Sequence, residues 1–211
     1  MKQILCFGDS NTYGLIPGTG NRYDWNIRWT GILDKNLGEK GYRIIEEGLC
    51  GRTTVFDDSL REGRKGVDTL PTLLESHNPI DIVILMLGTN DCKTVYNATA
   101  EIIGKGIQRL LEQIKQKAPQ AKIILVSPIH LGQGVWEEGF DSEFDDSSVE
   151  TSENLHKVYN RIADENEIYY LRASGYANPS PLDREHLDEN GHRKLAEGLL
   201  DLLEGVITDG Y

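Results

Sequence analysis

Two nearly continuous aliphatic runs, DIVILMLG at 81–88 and KIILVS at 122–127, constrain the fold of this chain most strongly. Unbroken aliphatic strands are typical of a parallel sheet that helices cover on both faces, whereas strands with one solvated face alternate polar and apolar residues. Three further strand patterns lie at 3–7, 43–47 and 168–171. The sequence therefore predicts a five-stranded parallel sheet buried between two helical layers.

Amphipathic helical patterns fill the segments between these strands. The clearest, at 98–118, places isoleucine and leucine side chains on one face, and Pro119 ends it. The others lie at 29–40, 66–77, 148–166 and 189–204. Alternating strands and helices predict the α/β class, as a three-layer α/β/α sandwich with right-handed crossovers. Because the chain has no internal repeat and no Pro- or Ser-rich linker, we expect one domain over 1–211.

Composition narrows the classes of function. The formal net charge of −12 repels phosphate backbones, which argues against nucleic-acid binding. Three cysteines without C-x-x-C spacing indicate a reducing compartment and no zinc site. No apolar run is long enough to span a bilayer, and the first residues lack the apolar region of a signal peptide. We therefore expect a cytoplasmic protein without membrane partners, and a homo-oligomer is left open.

Chemically useful groups follow three of the predicted strands. The segment FGDSNTYG at 7–14 supplies Asp9 and Ser10, GLCGRTT supplies Gly51, and GTND supplies Asn90. Open α/β sheets bind ligands at the carboxyl ends of their strands, so these groups are expected to converge. A hydroxyl, a glycine N–H and an amide are the components of a serine nucleophile with an oxyanion hole. Each also fits an ordinary role, as a helix cap or turn residue.

A general base must come from one of five histidines. The segment PLDREHLDENGH at 181–192 offers two Asp/His pairs. Asp188 precedes an apolar-periodic helix and fits its N-cap, which makes His192 a structural residue of the first turn. Asp183 and His186 are three apart in a loop, where the carboxylate can orient Nδ1 and leave Nε2 for a serine.

Together, FGDSNTYG, Gly51 within GLCGRT, GTND and DREH resemble the four sequence blocks of the SGNH hydrolases, also called the GDSL esterase family. The blocks occur in the family's order over residues 7–192, and Asn11 stands where the namesake motif has leucine. The resemblance implies a flavodoxin-like fold and acyl transfer without a metal or organic cofactor. It assigns the nucleophile to Ser10, with the base His186.

The resemblance also implies the remaining roles at the site. Asp183 orients the base, while the N–H groups of Ser10 and Gly51 and the amide of Asn90 hold the oxyanion. A finer similarity, in ILCFGDSNTYG, RWTGIL, IEEGLCGRTT and MLGTND, is to arylesterases and acyltransferases of the family. These act on short-chain esters and pass the acyl group to alcohols or peroxide, so the expected substrate is a small ester.

The expected pocket is a narrow apolar cleft. Its predicted residues are Asp9, Tyr13 and Leu15, together with aromatic side chains of the acidic loop 132–150, which is either a lid or a solvated surface loop. The sequence thus favours a serine esterase for short-chain aryl or acetyl esters.

Several alternatives stay open. The same family includes carbohydrate acetylesterases and thioesterases, and the same fold could bind a ligand without turnover. A cysteine enzyme using Cys50 or Cys92 is a further alternative, although neither thiol has a base nearby in the sequence.

Overall fold

A parallel sheet forms the centre of the molecule, of which the computed structural model describes residues 1–208. The strands are β1 (Lys2–Gly8), β2 (Tyr42–Gly48), β3 (Ile82–Met86), β4 (Lys122–Ser127) and β5 (Tyr169–Arg172). They lie in the order β2-β1-β3-β4-β5, and every neighbouring pair is parallel. This order is the flavodoxin-like one. The predicted three-layer α/β fold is therefore confirmed.

Helices cover both faces of the sheet. They are α1 (Ser10–Tyr13), α2 (Trp29–Leu37), α3 (Gly66–Ser76), α4 (Ala100–Lys117), α5 (Asp146–Asn166) and α6 (Glu189–Thr208). Side chains of α3, α4 and α5 share one hydrophobic core, and those of α2 and α6 share the other. None of the helices described in residues 1–208 has the length and apolarity needed to cross a membrane.

Some helices begin or end at residues other than those predicted, because local contacts at the helix ends are not visible in the hydrophobic pattern. Helix α5 begins at Asp146, earlier than expected, because Asp145 and Ser148 form a capping box at its N-terminus. Helix α2 stops at Leu37, and a 3₁₀ turn continues over Gly38–Lys40. Helix α1 was not predicted, since four residues are too few to show a helical period.

Strand β3 explains the aliphatic run that first indicated the fold. All five of its residues are buried, because helices pack on both of its faces. Val83 and Leu85 enter the core beneath α3, α4 and α5, whereas Ile82, Ile84 and Met86 enter the core beneath α2 and α6. Neither face meets water, so the usual alternation of polar and apolar residues is absent.

The carboxyl ends of β1 and β2 lie directly against α1. A side chain at Gly8 would collide with Thr12 and with the carbonyl oxygen of Met86, and one at Gly48 would collide with the backbone of Tyr13. Glycine at both positions lets the first turn of α1 rest on the end of the sheet. This contact fixes where α1 begins, and therefore where Ser10 lies.

Candidate active site

Ser10 is the first residue of α1, immediately beyond β1. The helix is capped by Asp9, whose Oδ1 accepts a hydrogen bond from the backbone N–H of Asn11 at 3.0 Å. Because the carboxylate supplies the cap, the hydroxyl of Ser10 is left for another partner. The side chain of Asp9 is fully buried, and burial raises its pKa to about 6.

Ser10, His186 and Asp183 form one hydrogen-bonded series. Oγ of Ser10 lies 2.8 Å from Nε2 of His186, and Nδ1 of the same ring lies 2.8 Å from Oδ2 of Asp183. Asp183 also accepts hydrogen bonds from the backbone N–H groups of Gly18, Glu185 and His186, at 3.0, 3.0 and 2.9 Å. The carboxylate is thus held in place on several sides while it holds the ring.

The charges of this series favour a protonated imidazole. Burial alone would lower the pKa of His186, but the carboxylates of Glu185 and Asp183 raise it to about 9. Burial would raise the pKa of Asp183, but hydrogen bonds from the side chain and backbone of His186 lower it to about 2. The site therefore stabilises the imidazolium that forms when the ring takes a proton.

Gly51 and Asn90 lie on the loops that follow β2 and β3. Gly51 has a φ of +80°, in the left-handed region that glycine adopts readily. Asn90 is buried, and its Nδ2 donates to the carbonyl oxygen of Arg52 at 3.2 Å. A side-chain amide carries two N–H bonds, so one is left for a ligand. Within residues 1–208, the backbone N–H groups of Ser10 and Gly51 have no acceptor.

Buried polar contacts connect these loops beneath the site. Asp91 is fully buried and accepts hydrogen bonds from the backbone N–H of Thr54, at 3.0 and 3.1 Å, and from its hydroxyl. Burial raises the pKa of Asp91 to about 7. The guanidinium of Arg52 donates to the carbonyl oxygen of Gly8 at 2.7 Å. The loops after β1, β2 and β3 are therefore held in one arrangement.

Asn11 holds the backbone on both sides of His186. Its Oδ1 accepts a hydrogen bond from the N–H of Leu187 at 2.9 Å, and its Nδ2 donates to the carbonyl oxygen of Glu185 at 3.4 Å. In the sequence, Asn11 stands out only as a departure from the namesake motif, and no local pattern predicts this role. Leucine at this position could make neither hydrogen bond.

The second Asp/His pair of the sequence has structural roles. Oδ1 of Asp188 accepts from the N–H of Gly191 at 2.7 Å, in the first turn of α6. Nδ1 of His192 accepts from the N–H of Trp29 at 3.3 Å, which joins α6 to the start of α2. Burial lowers the pKa of His192 to about 4, so its ring is neutral.

The thiols considered as alternatives lack the surroundings of a nucleophile. Cys92 is fully buried, and burial raises its pKa well above its usual value. Burial and the carboxylate of Asp9 likewise raise the pKa of Cys50. A reactive cysteine needs its pKa lowered, so neither environment favours a thiolate.

A cavity of about 500 Å³ lies beside Asp183 and His186. Its remaining lining residues come from two loops and from Glu185: Leu15, Gly18, Thr19, Gly20, Gly139, Phe140, Asp141, Ser142. Leu15 is among the residues that line this cavity, whereas Asp9 and Tyr13 are not. Asp9 is used as the cap of α1, and the ring of Tyr13 packs beneath the guanidinium of Arg22 at 4.0 Å.

Of the aromatic residues in the acidic loop, Phe140 alone is among the residues that line this cavity. Phe144 is buried in the core beneath α3, α4 and α5, and Trp136 packs against that core. Arg184 donates to the carbonyl oxygens of Gln133 and Gly134, at 3.1 and 2.9 Å, and its guanidinium lies 4.3 Å from the centre of the Phe140 ring. The loop is therefore tied to the segment that carries His186.

The protein belongs to the GDSL-like lipase/acylhydrolase family, whose sequence profile matches residues 6–194. It is similar in structure to Est24, a carbohydrate acetylesterase from Sinorhizobium meliloti, with 34% identity, a TM-score of 0.90, and coverage of 98% of this chain and 100% of the other. It is also similar to the native aryl esterase of M. smegmatis, with 31% identity, a TM-score of 0.89, and coverage of 97% and 99%. No curated protein sequence shows significant similarity. Family and fold together make the protein a carboxylic-ester hydrolase.

The two hydrogen bonds that Asn11 makes to the backbone on either side of His186 can be tested by replacing it with leucine, the residue of the namesake motif. Asn11→Leu leaves the carbonyl oxygen of Glu185 and the N–H of Leu187 without partners in a buried region, which costs about 1–3 kcal/mol per group. We expect a fall of this order in the free energy of unfolding, measured by urea denaturation. The control is Asn36→Leu, at an exposed position of α2. If the two variants had the same free energy of unfolding, the two hydrogen bonds of Asn11 would not stabilise the fold.

Proposed function

We propose that the protein is a serine esterase that cleaves short-chain aryl or acetyl esters through an acyl-enzyme on Ser10. The observation that carries this proposal is the unbroken series from Oγ of Ser10 through the ring of His186 to the carboxylate of Asp183, with 2.8 Å at each step. This arrangement matches the geometric roles of a nucleophile, a general base and an orienting acid.

Acylation uses both nitrogen atoms of the ring. Nε2 of His186 removes the proton of Ser10 as Oγ bonds to the ester carbonyl carbon, and Asp183 stabilises the resulting imidazolium. The bond from the carbonyl carbon to the alcohol oxygen then breaks, and Nε2 returns the proton to that oxygen. Water or a second alcohol then gives a proton to Nε2 as its oxygen bonds to the acyl carbon. The bond from that carbon to Oγ breaks, and Nε2 returns the proton to Ser10.

The oxyanion of each tetrahedral intermediate requires preorganised donors. We assign this role to the N–H groups of Ser10 and Gly51 and to Nδ2 of Asn90. The assignment is supported by the two unpaired N–H groups and by the bond to Arg52, which orients the amide of Asn90. Removal of one such donor costs about 10²–10³ in turnover in comparable sites.

The cavity favours small, neutral esters. Its volume of about 500 Å³ is bounded by the apolar side chains of Leu15 and Phe140 and by the acids Asp141 and Glu185. Acidic walls and a formal net charge of −12 disfavour anionic substrates. The ring of an aryl ester would pack against the apolar side chains of Leu15 and Phe140. Acetylated sugars are the second candidate, because carboxylates that line a cavity can accept hydrogen bonds from hydroxyl groups.

The nucleophile is tested by Ser10→Ala. A fluorophosphonate probe should label the wild type once, at Ser10, and leave the variant unlabelled, while kcat/KM for p-nitrophenyl acetate falls at least about 10³-fold. The control is Ser76→Ala, at an exposed position of α3, which should behave as the wild type. A non-catalytic binding module would not react with the probe. Wild-type turnover by Ser10→Ala would exclude the serine mechanism.

The pH dependence follows from the need for a neutral base. Since His186 has a pKa of about 9, kcat/KM for a neutral ester should rise with pH and level off above that value. Asp183→Asn removes an anion beside the ring, so the midpoint of this rise should move to lower pH while the plateau falls, by up to about 10⁴-fold. The measurement is the pH profile of both proteins. A midpoint that stays in place would contradict the role of Asp183.

The dependence of the rate on acyl chain length tests whether the cavity limits the size of the substrate. Each buried methylene contributes about 0.8 kcal/mol until the available apolar surface is used, so kcat/KM should rise over the first few carbons and then fall. The measurement is kcat/KM for p-nitrophenyl esters from acetyl to dodecanoyl. A steady rise to the longest chain would indicate an open lipid-binding groove and contradict the proposed preference.

A further inference from the structure

The carboxylate of Glu185 helps to raise the pKa of His186, but the mechanism above gives it no contact with the substrate, although it lies next to the reacting atoms. Its Oε1 is 3.6 Å from Nε2 of His186, and its side chain lines the cavity with only 8% of its surface exposed. Within residues 1–208, no side-chain or backbone donor makes a hydrogen bond to this carboxylate. A buried acid without donors is costly to keep in a folded protein.

The charged groups around Glu185 include an ion-pair partner, His186, but none of them donates a hydrogen bond to the carboxylate. His186 and Lys93 favour its ionised form, whereas Asp141 and Asp183 oppose it. Lys93 is paired with Glu143, and His186 is hydrogen-bonded to Ser10 and Asp183. Burial raises the pKa of Glu185 to about 7. Its oxygens are therefore available to a ligand in the cavity.

The position of Glu185 relative to His186 shows which part of a ligand it would meet. Nε2 returns a proton to the alcohol oxygen of the ester, so that oxygen must come within about 3 Å of Nε2. Oε1 of Glu185 lies 3.6 Å from the same nitrogen atom. The ester oxygen and Oε1 would thus be neighbours of the same nitrogen atom, and a hydroxyl group one carbon beyond the ester oxygen would bridge the space between them.

We propose that Glu185 is a specificity-determining residue that accepts a hydrogen bond from a second hydroxyl group on the alcohol part of the substrate. The preferred substrates are then esters of vicinal diols and polyols, in which a hydroxyl lies one carbon beyond the ester oxygen. The same contact selects polyols as acceptors when the acyl group passes to an alcohol. This inference rests on the proposed serine esterase function and specifies its alcohol component.

A matched pair of substrates tests the contact. 2-Hydroxyethyl acetate and n-propyl acetate have the same number of heavy atoms and differ by a hydroxyl in place of a methyl group. A hydrogen bond to a charged acceptor predicts that the wild type prefers the hydroxyethyl ester by about tenfold or more in kcat/KM. Glu185→Leu should abolish or reverse this preference. Glu185→Gln, whose amide oxygen still accepts, should retain part of it.

Two controls separate the possible failures. Glu138→Gln neutralises an exposed acid of the same loop as Phe140 and should keep the wild-type preference. Fluorophosphonate labelling of Ser10 in every variant shows that each has folded with an active nucleophile. If the wild type and Glu185→Leu are both labelled and show the same substrate preference, the role of Glu185 is overturned and the serine mechanism is not. An unlabelled wild type would overturn the serine mechanism and this inference together.

Discussion

The site depends on a small set of hydrogen bonds between two segments at opposite ends of the chain. Ser10 is placed by the sheet, because β1 and the cap of α1 fix its position. His186 follows β5 in a loop without regular secondary structure, so the sheet does not place it. Its backbone is held instead by Asn11, and its ring by Asp183. A rigid strand end and a tethered loop together bring the side chains of Ser10 and His186 to hydrogen-bond distance.

The carboxylates of Asp183 and Glu185 lie close together but differ in pKa, because only Asp183 receives hydrogen bonds from the described residues. Asp183 receives hydrogen bonds from the ring of His186 and from backbone N–H groups, and its pKa is about 2. Glu185 receives none from the described chain, and its pKa is about 7. Both act on the same imidazole and raise its pKa. Asp183 is thereby a fixed anion, whereas Glu185 is a group that a bound molecule can still satisfy.

The parts that could be predicted from sequence are those with a local or periodic signal. The burial of β3 on both faces is visible as an aliphatic run, and the grouping of Ser10, Gly51 and Asn90 follows from the rule that parallel strands end at one edge. Asp183 and His186 are close in sequence, so their pairing needed no knowledge of the fold.

The rest depends on contacts that no local pattern encodes. Asn11 was noted only as a departure from a motif, because its partners lie 174 and 176 positions away. Asp9 and Tyr13 belong to the first sequence block, which the resemblance places at the pocket, but Asp9 caps α1 and the ring of Tyr13 packs against Arg22. The sequence does not reveal Glu185, because burial without a hydrogen-bond donor is a property of the folded chain alone.

The four residues from Asp183 to His186 have two different functions in the structure. Arg184, with a φ of +62°, directs its guanidinium to the loop that carries Phe140, while Glu185 lines the cavity. The outer two positions, Asp183 and His186, hold the imidazole and the carboxylate that orients it at a fixed spacing. A substitution at either inner position would therefore alter the wall of the cavity and its polarity while leaving the spacing of Asp183 and His186 as it is.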